Sequence, residues 1–334
     1  MPVPPIQRLP PSPLQRLLRL LGTEKKDIGY IYLYALVTGL ISLSLPLGIQ
    51  AVFNLVSGGL VFNSVYILIG VVVLGVLVTG MLLVGQMTLV EVVQQRIFAK
   101  AAFEFTYRLP RIQPEALSVH DAPELMNRFF DVLTIQKGLP KLLIDLTAAA
   151  VQILFGIVLL SFYHPVFLGF GLFTLLAILG ICRLFGPPGL RTSLSESKYK
   201  YKVVASLEDF ARDLTVHRQQ VDTLDSINRM DELVAGYVTH RNAHFGVLKR
   251  FFYGAVAFKT LVTGGLLILG TSLVIGREMT LGQFVAAELV IVLITSSVEK
   301  LISGIDTVFD LLTAVEKIAN VTDLPLETNT AAHA

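Results

Sequence analysis

Apolar residues in this chain run in long blocks rather than in the narrow stripes of a water-soluble helix. Six blocks reach the roughly 20 residues that a helix needs to cross a bilayer core. They cover residues 28–56, 60–90, 142–163, 165–182, 251–275 and 281–302. The fourth is the shortest and opens on Pro165, a residue tolerated in the first helical turn. None alternates apolar and polar positions as the short strands of an outer-membrane barrel would. The pattern predicts an all-α, polytopic membrane protein with six transmembrane helices.

The segments between the blocks are unequal. Three connections are minimal: Ser57-Gly58-Gly59, His164-Pro165 and Gly276-Arg277-Glu278-Met279. The other two are long, yet neither has the Gly/Ser composition of a flexible linker. Phe98, Ala102, Phe105 and Leu109 fall at helical spacing, as do Leu207, Phe210, Ala211 and Leu214. Both excursions therefore read as membrane helices that continue beyond the bilayer. Residues 60–109 as one helix would be about 75 Å long. Pro110, Pro114 and Pro123 force a turn in the first excursion, and a helix restarts at Asp121-Ala122-Pro123-Glu124. Gly186-Pro187-Pro188-Gly189 is expected to kink or interrupt the fourth helix. Each excursion is expected to carry a short helix at its tip, over 115–121 and over 209–217.

Charge orients the array. Lys and Arg number 5 before the first block, 7 in the first long excursion and 11 in the second. Lys300 and Lys317 lie near or beyond the end of the sixth, Lys259 lies inside the fifth, and Arg277 alone lies on the short-turn side. The positive-inside rule then places both termini and both excursions in the cytoplasm.

Composition narrows the function classes. Apolar residues are 53% of the 334 and charged residues 16%, against about 25% charge in soluble domains. Cys182 is the only cysteine, so neither an internal disulfide framework nor a cysteine-based zinc site is available. A net charge of +2, with its basic residues flanking the membrane, gives no basis for a nucleic-acid partner. Residues 1–24 read as a Pro-rich N-terminal lead-in, disordered over 1–13 and without the apolar stretch of a cleavable signal peptide.

The local sequence resembles the transmembrane domain of ABC (ATP-binding cassette) exporters. Leu109-Pro110, Glu124-Leu125-Met126-Asn127-Arg128 and Asp131-Val132 are similar to a run in that family's first inner loop. Met279-Thr280-Leu281-Gly282-Gln283-Phe284-Val285 is similar to the opening of its sixth span. Ala314-Val315-Glu316-Lys317-Ile318-Ala319 through Asp323-Leu324-Pro325-Leu326-Glu327 resembles the exit toward the ATPase domain. The likeness covers roughly 25–327, leaving 328–334 as a tail, and implies the ABC exporter type-1 transmembrane fold with long cytoplasmic extensions. No Gly-x-x-x-x-Gly-Lys-Ser/Thr phosphate loop and no Leu-Ser-Gly-Gly-Gln signature occurs in the sequence. By itself the chain is thus not expected to be an enzyme or to bind a cofactor directly.

The resemblance implies a transmembrane subunit in a bacterial inner (plasma) membrane, with the lipid bilayer around it. ATP and Mg would sit on a separate nucleotide-binding ATPase subunit, and a second transmembrane half would make a homodimer or heterodimer. The coupling residues it implies are Glu115, Leu117, His120 and Asp121 at the first tip, and Glu208, Asp209, Phe210 and Arg212 at the second. Phe210 is read there as an apolar anchor with Glu208 and Arg212 as its rim; packing against neighbouring extensions is the alternative. A structural or regulatory protein that uses this fold without transport is the competing function.

Ionisable groups inside spans are costly and mark candidate sites. Glu288, in the sixth block, is read as a contact for a cationic or hydrogen-bonding substrate, or as a structural hydrogen-bond partner. Lys259 in the fifth is a path candidate, though snorkelling of its long stem to the inner headgroups suits it better. The two differ by roughly 10 Å in depth, too far for a salt bridge. Gln152, and likewise Gln86, could line a cavity, but packing between helices suits them better, with Gly75 and Gly80 easing close approach. His240 and His244 are at i, i+4, which could share a metal on one face. Nothing obvious in the sequence completes such a site, so no metal is expected.

Overall fold

The computed structural model describes residues 11–58, 63–117, 122–212 and 223–327. They form helices α1 (Pro13–Gly22), α2 (Lys25–Ser42), α3 (Ser44–Ser57), α4 (Asn63–Arg108), α5 (Pro114–Leu117), α6 (Ala122–Asn127) and α7 (Phe130–Pro140). After a π turn at Lys141–Leu146 come α8 (Thr147–Tyr163), α9 (Val166–Arg212), α10 (Thr223–Ile275), α11 (Leu281–Ser303) and α12 (Ile305–Thr322). The fold is all-α, and six helical stretches are long and apolar enough to cross a membrane. On that ground this is an integral membrane protein with six candidate spans.

Three helices extend far beyond any bilayer. α4 has 46 residues, α9 has 47 and α10 has 53, or about 69, 70 and 80 Å. The expected single helix over 60–109 is thus present as Asn63–Arg108, and it stops where Pro110 removes the next donor.

Other local expectations are corrected. Gly186-Pro187-Pro188-Gly189 does not interrupt α9, which is helical throughout. Gly189 is buried under the Phe309 ring, where a Cβ would lie 2.2 Å from its Cζ, so close packing holds this turn in place. The first span, conversely, breaks at Leu43 between α2 and α3. Pro46 cannot donate to the Ser42 carbonyl and its ring crowds it, which accounts for the break. Part of the expected lead-in is α1, capped reciprocally by Ser12 and Gln15. Leu17 and Leu21 bury its inner face, and Arg16 pairs with Glu316 and Asp323 beside α12.

Glutamine side chains repair another proline. Pro140 ends α7 without an N–H for the Gln136 carbonyl, and Gln94 Nε2 of α4 donates to that carbonyl at 2.5 Å. Gln136 Nε2 returns a bond to the Gln94 carbonyl at 3.2 Å. The π turn follows at once, a common companion of a local ladder defect.

The spans pack around α11. Ile294 is fully buried against α8, where a Cβ on Gly156 would lie 2.8 Å from Ile294 Cγ1. Gly75 likewise admits Ser44 of α3, but no atom of another element approaches within 4 Å of a Cβ built on Gly80. Thr280 and Gln283 cap α11 reciprocally, and Gly304 separates it from α12. On the short-turn side, Arg277 takes φ 60°, a left-handed conformation usual for glycine. His164 and Glu278 meet at 3.1 Å, tying the third connection to the fifth.

Candidate functional site

The sequence-derived candidates divide between the far ends of the extensions and the spans. At the first end, the chain leaving α4 meets the chain leaving α12. Ile112 and Leu326 form an antiparallel bridge. Gln113 N donates to the Pro325 carbonyl at 3.1 Å, and Glu327 N to the Arg111 carbonyl at 2.7 Å. Below the bridge, Phe105, Ile112, Leu125 and Val321 make a small apolar core. The segment leaving α12 is therefore stapled to the segment leaving α4. Alternation at Leu324-Pro325-Leu326 was the available signal for an extended partner.

Pro114–Leu117 is a single helical turn on this base, with Glu115 exposed. His120 and Asp121 lie outside the described residues, as does the side chain of Leu117. At the second end, Glu208, Asp209, Phe210 and Arg212 occupy the last turns of α9 rather than a separate short helix. Asp209 and Arg212 are exposed, Glu208 and Phe210 half-buried. Residues 213–217 of the expected tip lie outside the described residues.

Between these ends and the membrane the extensions are joined by a buried charged cluster. Asp131 of α7 accepts a hydrogen bond from the Tyr201 hydroxyl of α9. The Arg128 guanidinium lies 3.7 Å from the centre of the Tyr201 ring and pairs with Glu124, and Lys317 Nζ of α12 lies 5.4 Å from the same ring. Motif residues Glu124, Arg128, Asp131 and Lys317 thus meet at one aromatic ring. Burial raises the Asp131 carboxyl above its usual range, against the Tyr201 bond and neighbouring cations. Burial likewise raises the Tyr201 phenol and lowers the Lys317 ammonium. Tyr201 belongs to no motif in the sequence.

His244, 1% exposed, sits between Thr192 Oγ1 (2.9 Å from Nδ1) and Asp306 Oδ1 (3.2 Å from Nε2). The hydrogen bond from His244 holds the Asp306 carboxyl below its usual range. His240 instead stacks on Tyr199, ring centres 4.0 Å apart. The i, i+4 pair is divided between different neighbours. Among the described residues no group of three or more His, Cys, Asp or Glu side chains is placed to hold a metal.

Within the spans, the polar candidates part company. Gln152 Oε1 accepts from Ser297 Oγ at 2.9 Å, joining α8 to α11. Gln86 Nε2 donates to the Ile31 carbonyl at 2.9 Å in a buried site. Both are links between helices. Lys259 does not simply snorkel: its Nζ donates to Glu299 Oε1 at 2.8 Å, and each side chain is about half exposed, 52% and 46%. Glu299 sits beside Lys300 at a span end, and its partner Lys259 is forty positions away in the sequence. Glu288 is half-buried and has no hydrogen-bond or ion-pair partner among the described residues.

No protein-family model matches this chain, and no curated protein matches it.

Proposed function

We propose that this chain is the membrane half of an ATP-driven exporter. A second such half completes the translocation path, and a separate nucleotide-binding ATPase, carrying ATP and Mg, drives both through the tips of the cytoplasmic extensions. The Lys and Arg bias puts those extensions and both termini in the cytoplasm.

One observation carries the reading: α4, α9 and α10 are continuous over 46, 47 and 53 residues. A hydrocarbon core about 30 Å thick uses less than half of each. A regular helix transmits a displacement that a loop would absorb, so motion at a tip arrives in the bilayer as tilt. The Ile112–Leu326 bridge supports the same view. It gives a push at the first tip a direct route into α12 and, beyond Gly304, into α11.

In this reading Glu115, Leu117, His120 and Asp121 meet the ATPase at one tip, and Glu208, Asp209, Phe210 and Arg212 at the other. The test is purification of the tagged full chain from its native membrane. A nucleotide-binding subunit should accompany it, with vanadate-sensitive ATP hydrolysis in the purified complex. Phe210→Asp should lower recovery of that subunit at least about tenfold, the loss of one buried apolar anchor. Recovery unchanged by Phe210→Asp removes the docking role of the second tip; a chain that purifies without any ATPase sinks the exporter reading.

A further inference from the structure

α11 has one face that the rest of the described chain leaves largely exposed, with Lys259 of α10 reaching it only at Glu299. Glu288, Val292, Ser296, Glu299 and Ser303 follow at three- and four-residue intervals and so share one stripe. Val292, Ser296, Glu299 and Ser303 on it are exposed and Glu288 is half-buried, whereas Ala286, Ala287, Val290, Ile291 and Ile294 on the other faces are buried. Ionisable groups at membrane depth are placed toward water or polar surface rather than acyl chains. The stripe therefore borders a polar space.

The charges along it are unequally matched. Counted from the turn at Gly276-Arg277, Lys259 lies about 24 Å deep and Glu299 about 27 Å deep, near the inner boundary. They neutralise each other. Lys300, the other cation of the six spans, is deeper still. Glu288 lies only about 10 Å deep, one side chain's length or more above either lysine. A second copy of the chain in the same orientation holds its lysines at the same depths and its Arg277 in the turn about 10 Å above, so it brings no lysine to Glu288 either. One isolated carboxylate is also a poor site for Ca²⁺ or Mg²⁺, which gather several oxygen ligands. Its neighbours, Val285, Leu289 and Val292, are hydrocarbon.

The geometry points to Glu288 as the binding carboxylate for an amphiphilic organic cation, whose charge it receives while Val285, Leu289 and Val292 flank the apolar body. This rests on the exporter reading only in making that cation the cargo.

The test is binding of two ions of the same shape and opposite charge, tetraphenylphosphonium and tetraphenylborate. The full chain is placed in phosphatidylcholine nanodiscs without any ATPase, and binding to empty discs is subtracted. Glu288→Gln should weaken tetraphenylphosphonium binding at least about tenfold, as expected for loss of one charge-assisted contact. Tetraphenylborate binding should not change, and Glu288→Asp should retain most of the cation binding, which excludes misfolding as the cause. Equal tetraphenylphosphonium binding by the wild type and Glu288→Gln overturns the assignment, as does equal loss of both ions. Glu288-dependent cation binding in a chain with no ATPase partner would leave this site standing and sink the exporter reading. A complete ATPase complex whose cation binding ignores Glu288 would do the reverse.

Discussion

Only 6% of the most apolar segment of α4 is buried within the chain, against 50% for the most apolar segment of α11–α12. What the two leave uncovered differs in kind. The free faces of α4 carry Val73, Leu77, Met81 and Val84, side chains that acyl chains solvate as well as protein does. The free stripe of α11 carries Glu288, Ser296 and Glu299. Exposure alone thus says little in a membrane protein, and the chemistry of the exposed residues says which neighbour they expect. α4 presents an apolar face suited to lipid, whereas α11 is packed on most of its circumference and carries polar side chains along the remainder.

The sharpest way to break this comparison is to put the same charge on both helices. Leu77 and Ser296 lie at similar depth, about 21 and 22 Å along their helices. Leu77→Arg should cost about 2 kcal/mol of membrane insertion, less than arginine at a span centre because Leu77 lies inward of it. Ser296→Arg should cost less than about 1 kcal/mol, because its side chain enters a polar space. A translocon-insertion assay reads both as the fraction of chains integrated. Equal losses would mean that the α11 stripe faces lipid.

A smaller effect separates the helices by packing. Ile294 is 0% exposed and Leu77 60% exposed. Ile294→Ala should destabilise the chain by about 2 kcal/mol, since the cavity against Gly156 and α8 cannot fill. In lipid no hydrophobic transfer favours association, so this loss is one of van der Waals contact. Leu77→Ala should change stability by less than about 0.5 kcal/mol. Unfolding in mixed micelles with increasing SDS compares them directly.

These contrasts were only partly legible in the sequence. The six spans and their extensions could be read because block length and the absence of linker composition are local properties. Turn points at Pro110, Pro114 and Pro123 were legible for the same reason. Pairings across long separations were not: nothing local to Tyr201 points to Asp131, seventy positions earlier. Nothing local to Glu299 points to Lys259, forty positions earlier, which the fold sets beside it. The leucines of α1 were masked by the prolines ahead of them. At residues 186–189, local propensity argued for a break, and packing of Phe309 on Gly189 outweighed it. Pro46 shows the opposite failure, a lone breaker in an apolar run whose effect was real and overlooked.

The difference between the two helices continues beyond the membrane, where a last and smaller effect can be read in pH. The lower half of α4 binds Glu24 through Lys100 and Arg96, and Arg96 also reaches Asp27. The Lys100 hydrogen bond holds the Glu24 carboxyl below its usual value, outweighing burial. A depressed carboxyl contributes stability that is present above its unfolded value and is lost as pH falls through the folded one. Beside the lower half of α12, in the cluster that holds Lys317, burial raises the carboxyl of Asp131 on α7 instead. A raised carboxyl contributes stability that is present below its unfolded value and is lost as pH rises through the folded one. Glu24→Gln should therefore lower the thermal unfolding midpoint at neutral pH, and Asp131→Asn, which keeps an acceptor for Tyr201, should raise it relative to the wild type. Both differences should shrink on acidification toward about pH 4, where unfolded carboxyls protonate. Midpoints of the two variants and the wild type, followed by intrinsic tyrosine fluorescence across that range, decide it. Shifts of the same sign would mean that the charges of the Asp131 cluster beside α12 are as well compensated as those on α4, and the contrast would end at the membrane surface.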